Sequence, residues 1–350
     1  MTKKKKEESK RFSVWRILIL VLALAGGWWA LNMYRTYFMP NIAAGGSYLY
    51  IRTDGNYTAL LDSLEKHSLL KNMDAFKRAA AKMNLEKSLK PGRYRLNADM
   101  NNRTLINKIK SGNQDAVQLK IQNLRKKGNF AAYLAKNMEA DSAAFMQVLD
   151  SAALLEKYGF NKENSYAMFI PNTYEVYWNS TPLAFFEKMQ KAFDTFWTAN
   201  RKQQAAAQQL NPIQATILAS IVDAEALYDK EMPIIAGLYL NRLHRGILLQ
   251  ADPTVIFANN DFTVKRVTAA LLGVNSPYNT YKNKGLPPGP IMMPSIHAIE
   301  AVLNPDKNNY LYMCAKEDFS GYHNFAATVS EHELNAKKYR EALNKRKIYR

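Results

Sequence analysis

Ile17 to Tyr34 reads ILILVLALAGGWWALNMY, eighteen consecutive residues without a charge. A bilayer is spanned by about 20 apolar residues, so this run predicts one transmembrane anchor over 17–34. Trp28, Trp29 and Tyr34 sit toward its far end, where aromatic rings favour the membrane interface. Residues 1–16 hold seven Lys or Arg against two Glu, and the positive flank of a span stays in the cytoplasm. The expectation is a single-pass protein of the inner (cytoplasmic) membrane. It has a cytoplasmic basic tail at 1–16, and everything from about residue 35 lies outside. Ala23-Leu24-Ala25 also fits the small-residue pattern of a cleaved signal peptide. Apolar and aromatic residues continue past it, which favours a retained anchor.

Beyond the anchor the pattern changes. Residues 35–46, with Pro40 and Gly45-Gly46, read as a linker. Ser47 to Thr53 alternates like a strand. Helical spacing follows at Tyr57–Lys66 and Met73–Met83. Pro91-Gly92 turns into a short strand at 93–96. Asn102–Ser111 reads as a helix stopped by Gly112, and Val117–Ile121 as a third strand. These elements make a small α+β module at 47–121. The remainder, 122–345, reads as a larger mixed α+β domain. Its helical patterns cover Asn129–Met138, Asp141–Ser151 and one long stretch, Leu183–Gln209. Between them, Asn164–Ser180 crowds Tyr166, Phe169, Tyr174, Tyr177 and Trp178 around Pro171. Such a cluster is either core or a wall on which sugars stack, and core is the commoner outcome.

The helix that draws attention starts at Asn211-Pro212, a cap followed by proline at the first helical position, and runs to about Leu227. At 100° per residue, Ile213, Ile217, Leu218, Ile221 and Val222 share one face, and Glu225 falls on it. A carboxyl group on an apolar stripe loses hydration, which raises its pKa, as a general acid at neutral pH requires. Asp223 points to the opposite, wetter side. The competing reading leaves Glu225 exposed where the helix frays into Tyr228-Asp229-Lys230. A second helix runs from near Pro233 to Arg245 and is closed by Gly246. Arg242, His244 and Arg245 in its last turn complement the helix dipole. Polar-aromatic loops follow, at Leu249–Thr254, Ser276–Tyr281 and Gly285–Pro290, and loops of this kind commonly bind ligands.

Composition narrows the classes. With 350 residues, 47% of them hydrophobic, the chain can build two or three cores. The net charge of +18 suits an anionic setting, but it is dispersed and has no zinc-finger or RNA-binding signature, so no nucleic-acid partner is expected. The lone cysteine, Cys314, can form no intrachain disulfide and reads as a small core residue. The five histidines show no metal-ligand spacing, so neither metal nor cofactor is expected. No P-loop, dinucleotide fingerprint, nucleophile elbow or zinc-protease motif is present.

Leu218–Glu225, Tyr239–Leu243, Leu249–Ile256, Ser276–Tyr281, Gly285–Gly289, Tyr310-Leu311-Tyr312 and the His323/Phe325 stretch together resemble the YceG-like family of endolytic murein transglycosylases. The likeness reaches back to Lys90–Arg95 and to the Pro171/Thr173/Tyr174 turn, nearly the whole exported part. It implies a LysM-like, glycan-binding module at 47–121. It also implies a lytic transglycosylase that cleaves MurNAc–GlcNAc bonds within peptidoglycan strands and leaves 1,6-anhydro ends. A hydrolytic muramidase and an inactive wall-binding scaffold are the alternatives. The family's catalytic glutamate falls on Glu225, whereas its Glu-Lys-Glu run is Asp223-Ala224-Glu225 here and its Phe-Pro-Asp-Thr-Tyr turn has Asn172 in the acidic place. By this resemblance Gln250, Asp252, Thr254, Tyr278, Asn279, Tyr281, Tyr174 and His323 contact substrate, with peptidoglycan strands and cell-wall synthases as partners.

Overall fold

Three asparagines open the helices of the N-terminal unit. Asn56, Asn72 and Asn101 each accept the backbone N–H three residues on, so an otherwise orphaned helix donor is satisfied. A computed structural model describes residues 3–346 apart from 44, 123, 265 and 266, with side chains from Val14 onward. The start of the expected basic tail and Ala44 of the expected linker therefore lie outside the described residues, in whole or in their side chains.

Residues Met1–Val117 and Tyr177–Asn179 form one compact unit. It begins with α1 (Lys3–Tyr37), longer than the apolar run alone suggests. Within it Val14–Tyr37, 24 residues, is apolar and long enough to cross a membrane, about 36 Å at 1.5 Å per residue. Val14 to Arg35 are all exposed. β1 (Tyr48–Ile51), α2 (Tyr57–Lys66), α3 (Met73–Lys82), β2 (Gly92–Arg95) and α4 (Asn102–Ser111) follow. β1 and β2 pair antiparallel with Leu49 opposite Tyr94. Those two side chains, with Leu60, Leu64, Phe76, Leu105 and Ile109, form the buried core. Gly112 closes α4 at φ +71°, the left-handed cap that glycine adopts without strain.

The expected linker is no slack tether. Asn41 is buried. Its Nδ2 donates to the Asn102 side chain at 2.7 Å and to the Asn72 carbonyl at 2.9 Å, and its Oδ1 accepts the Asn72 N–H at 2.7 Å. Asn102 in turn donates to the carbonyl of Thr36 in the last turn of α1. Pro40 and Ile42 form β-bridges to Asn101 and Leu70. Buried polar groups must be paired, and this mutual pairing ties the end of α1 directly to α3 and α4.

The second unit, Gln118–Val176 and Ser180–Arg350, takes nearly all of β3 (Val117–Ile121). β3 forms as expected but pairs with β4 (Asn172–Val176) and not with β1 or β2. α5 (Lys127–Asn137), α6 (Ser142–Leu149) and α7 (Ala152–Lys157) precede β4, and α8 (Pro182–Phe196) and α9 (Ala199–Ala207) follow it. The single long helix expected at 183–209 is thus two, because Thr198 caps a new one. Phe130, Tyr166, Phe169 and Phe185 meet edge-on or tilted, so most of the aromatic cluster around Pro171 is core.

α10 (Pro212–Glu225) is the central helix, buried continuously from Ala215 to Val222. It packs on α11 (Met232–His244), α12 (Asp252–Asn259) and, beyond the short α13 (Ala269–Leu272), α14 (Ile296–Leu303). A hairpin of β5 (Tyr312–Ala315) and β6 (His323–Ala326), covered by α15 (Val329–Lys345), completes the unit. Asp223 is not on a wet face. It accepts both the backbone N–H and the hydroxyl of Ser295, the cap of α14, and so locks α14 to α10. A Cβ on Gly237 of α11 would lie 2.5 Å from the Asp306 carbonyl oxygen. Gly237→Ala is therefore expected to destabilise this unit by about 1–3 kcal/mol through overpacking, read from denaturant midpoints.

Candidate active site

α10 ends at Glu225, and α11, packed against α10, brings Tyr239 to meet it. Tyr239 is 2% exposed, and its hydroxyl donates to Glu225 Oε1 at 2.9 Å. Glu225 itself is partly buried. Loss of hydration pushes its carboxyl pKa up to about 7; the hydrogen bond from Tyr239 opposes this rise, and the nearby Asp252 carboxylate adds to it. The acid thus exchanges its proton near neutrality.

Glu225 lines a cavity of about 410 Å³ together with Tyr239, Arg242, Gln250, Asp252, Tyr281 and His323, and with Tyr312–Ala315 of β5. Asp252 is the first residue of α12 and exposed; Tyr281 Oη donates to its Oδ1 at 2.5 Å. Gln250 holds φ +54°, a left-handed conformation that a residue other than glycine adopts at a cost of order 1 kcal/mol. Cys314 lines the cavity too, with burial as the main cause pushing its thiol pKa up, which disfavours the nucleophilic thiolate.

Of the side chains expected to touch substrate, the structure brings Glu225, Gln250, Asp252, Tyr281 and His323 together. It does not bring the other four. Thr254 and Asn279 are fully buried. Thr254 Oγ1 bonds the Ala251 carbonyl and Thr280 Oγ1. Asn279 donates to the carbonyls of Leu272 and Val274 and accepts the Tyr281 N–H. Both therefore brace the two loops that present Asp252 and Tyr281. Tyr174 is buried, its hydroxyl donating to the Ile170 carbonyl at 2.6 Å. Tyr278 packs against Phe257 and lines a separate cavity with Arg125, Lys127 and Glu163.

Arg242 is the correction of most consequence. It lies in the last turn of α11 as expected, but its guanidinium is turned to carbonyls beyond the helix and not to solvent. At 6% exposure it is a clasp: Nε donates to the Leu311 carbonyl at 2.6 Å, and one terminal nitrogen donates to the carbonyls of Leu248 and Leu249 and to Gln250 Oε1. Sequence reasoning did not place Tyr239 or Arg242 in the wall of this cavity. Their signal was present, since both lie on the buried stripe of α11 with Ile235, and a buried hydroxyl or guanidinium requires a partner. Among the described residues no group of three or more His, Cys, Asp or Glu is placed to hold a metal ion.

A carboxyl group whose pKa is raised to about 7, sharing one cavity with a second carboxylate and several tyrosines, is chemically able to give and take a proton there. The chain belongs to the YceG-like family, which matches it over residues 49–338. An endolytic murein transglycosylase of Bacillus subtilis (strain 168) is 28% identical over 316 residues, covering 85% of each chain. A protein of the same description from Streptococcus pneumoniae (serotype 2, strain D39) is 25% identical over 364 residues, 93% of this chain and 64% of that one. This chain thus spans less than two thirds of the pneumococcal protein. The 2.6 Å crystal structure of a YceG-like protein from Listeria monocytogenes superposes with a TM-score of 0.55 at 25% identity, over 82% of this chain and 98% of that chain.

Proposed function

We propose that this chain is an endolytic lytic transglycosylase of peptidoglycan, with Glu225 as both acid and base. The observation that carries the proposal is the carboxyl group of Glu225, raised to a pKa of about 7 beside an open cavity. The B. subtilis and S. pneumoniae relatives, described as endolytic murein transglycosylases, support the choice of substrate.

In this mechanism protonated Glu225 gives its proton to the glycosidic oxygen between MurNAc and GlcNAc as the bond to the anomeric carbon breaks. The carboxylate left behind takes the proton of the muramyl 6-hydroxyl as that oxygen attacks the same carbon. The bond formed closes a 1,6-anhydro ring, and Glu225 returns to its starting state. No water enters, so the second carboxylate that hydrolytic glycosidases use is dispensable. Asp252, steadied by Tyr281, stabilises the positive charge that develops on the sugar. Tyr239 fixes the Glu225 side chain. Gln250, Tyr281 and His323 contact the glycan.

In the same reading α1 anchors the chain with its N-terminus in the cytoplasm, and the N-terminal module is LysM-like and binds glycan outside it. Internal cleavage there would trim or terminate new strands, with cell-wall synthases as natural neighbours.

Asp252 also favours a second reading, since a carboxylate in the same cavity could activate water and make the enzyme a muramidase. Mass spectrometry of unmodified peptidoglycan digested by the full-length chain separates the two. Anhydro-muramyl ends on multi-disaccharide fragments are the expected result; reducing ends would overturn the transglycosylase assignment.

A further inference from the structure

Glu231 lies in the short turn Asp229–Glu231 that leads into α11, and it is 5% exposed. A carboxylate so deeply buried is tolerated only when its oxygens are matched by donors. Both oxygens are given to one residue. Oε1 accepts the backbone N–H of His323 at 2.8 Å, and Oε2 lies 3.1 Å from His323 Nδ1. His323 belongs to β6, 92 positions away in the chain, and its side chain forms part of the wall of the cavity that holds Glu225.

An ionised carboxylate can only accept hydrogen bonds, so the proton of a neutral His323 ring resides on Nδ1. Nε2 is then a bare acceptor, and it has no hydrogen-bond partner among the described residues. A buried carboxylate that sets the tautomer of a histidine is a common way of fixing which ring nitrogen does the work. Holding β6 against the start of α11 would not require it, because a neutral amide could accept the same backbone N–H without a buried charge.

We infer that Glu231 is a positioning residue that locks His323 in the Nδ1–H tautomer, so that Nε2 accepts a hydrogen bond from a hydroxyl or acetamido N–H of the glycan in the Glu225 cleft. This rests on the glycan-cleaving reading above for its ligand, but the tautomer can be tested without substrate.

Glu231→Gln should invert the polarity of the ring. If the amide oxygen keeps the His323 backbone N–H, the amide NH2 faces Nδ1. Nδ1 must then accept, the proton moves to Nε2, and the cavity sees a donor in place of an acceptor. The test is imidazole 15N NMR of the full-length chain in detergent, labelled at histidine and followed through a pH series to the neutral ring, together with peptidoglycan cleavage kinetics. The expected result is unprotonated Nε2 at His323 in the parent and protonated Nε2 in Glu231→Gln. The variant should lose about tenfold or more in kcat/KM. His323→Gln, whose amide oxygen supplies an acceptor at the same reach, should retain more activity than His323→Ala, and adding Glu231→Gln to it should cost nothing further.

A parent ring protonated on Nε2 overturns the inference, as does a folded Glu231→Gln variant with parental kcat/KM. If that variant fails to fold, the parent spectrum and the His323→Gln/His323→Ala pair still decide. A parent chain that cleaves no peptidoglycan would instead sink the glycan-cleaving reading, and cleavage that survives Glu225→Gln would sink the role given to Glu225; either would leave the tautomer assignment standing.

Discussion

Glu225→Gln is expected to reduce peptidoglycan cleavage by at least about 10²–10⁴-fold, the usual contribution of a positioned acid or base, because in the proposed mechanism one carboxyl group serves as both. The amide keeps the size of the side chain and can still accept from Tyr239, so the fold should persist and the loss should appear in kcat more than in KM. The same group predicts the pH behaviour. Its pKa is about 7 in the folded chain, against the usual 4.5 for glutamate. Between those values the folded chain holds a proton that the unfolded chain lacks. Stability from this group is therefore undiminished below about pH 4.5, declines as pH rises through the window, and is lowest above pH 7. The full difference is on the order of 3 kcal/mol. Cleavage should fall above about pH 7 as the acid form disappears. Denaturant midpoints at pH 5 and pH 8 should show the unit that carries α10 losing stability at the higher pH in the parent, and keeping it in Glu225→Gln. A variant that is dead yet more robust under alkaline conditions is the expected signature; equal slopes in the two proteins would mean that Glu225 is solvated.

Arg242→Met is the other change expected to be severe. The apolar replacement fills similar space but removes every donor to the carbonyls of Leu248, Leu249 and Leu311. Each buried acceptor left unsatisfied costs about 1–3 kcal/mol, so a net loss of about 2–4 kcal/mol is expected, read from the thermal or denaturant midpoint. Activity should fall further than stability, because the loop released is the one that presents Gln250 and Asp252. Arg242→Lys keeps the charge but not the planar fork and should fall between the two, which separates the geometric role of the guanidinium from its charge.

The placement of Glu225 was legible because the information is local. Asn211 and Pro212 set the helix start, and the apolar stripe then determines what the last turn faces. The cap at Gly112 was legible for the same reason. What misled was polarity whose partner is distant in the chain. Asn41 beside Pro40 and a glycine pair looks like slack chain, yet it pairs with Asn72 and Asn102. Thr254 and Asn279 look like ligand contacts, yet Thr254 bonds the Ala251 carbonyl and the Thr280 hydroxyl, and Asn279 bonds two loop carbonyls and the Tyr281 N–H. Asp223 reads as the wet side of α10, but a helical wheel does not reveal that the cap of α14 is bonded to it. Strand partners were obscured likewise: β3 is plain in sequence, while its pairing with β4 depends on bringing together segments some fifty residues apart, beyond the reach of periodicity.

The asparagine knot at the end of α1 has a mechanical consequence. With Asn102 gripping Thr36 and Asn41 gripping Asn72, the apolar rod and the globule above it behave as a key and its bow. One residue added to the rod would spin the globule by about 100° and raise it about 1.5 Å, so its length encodes a compass bearing as well as a height.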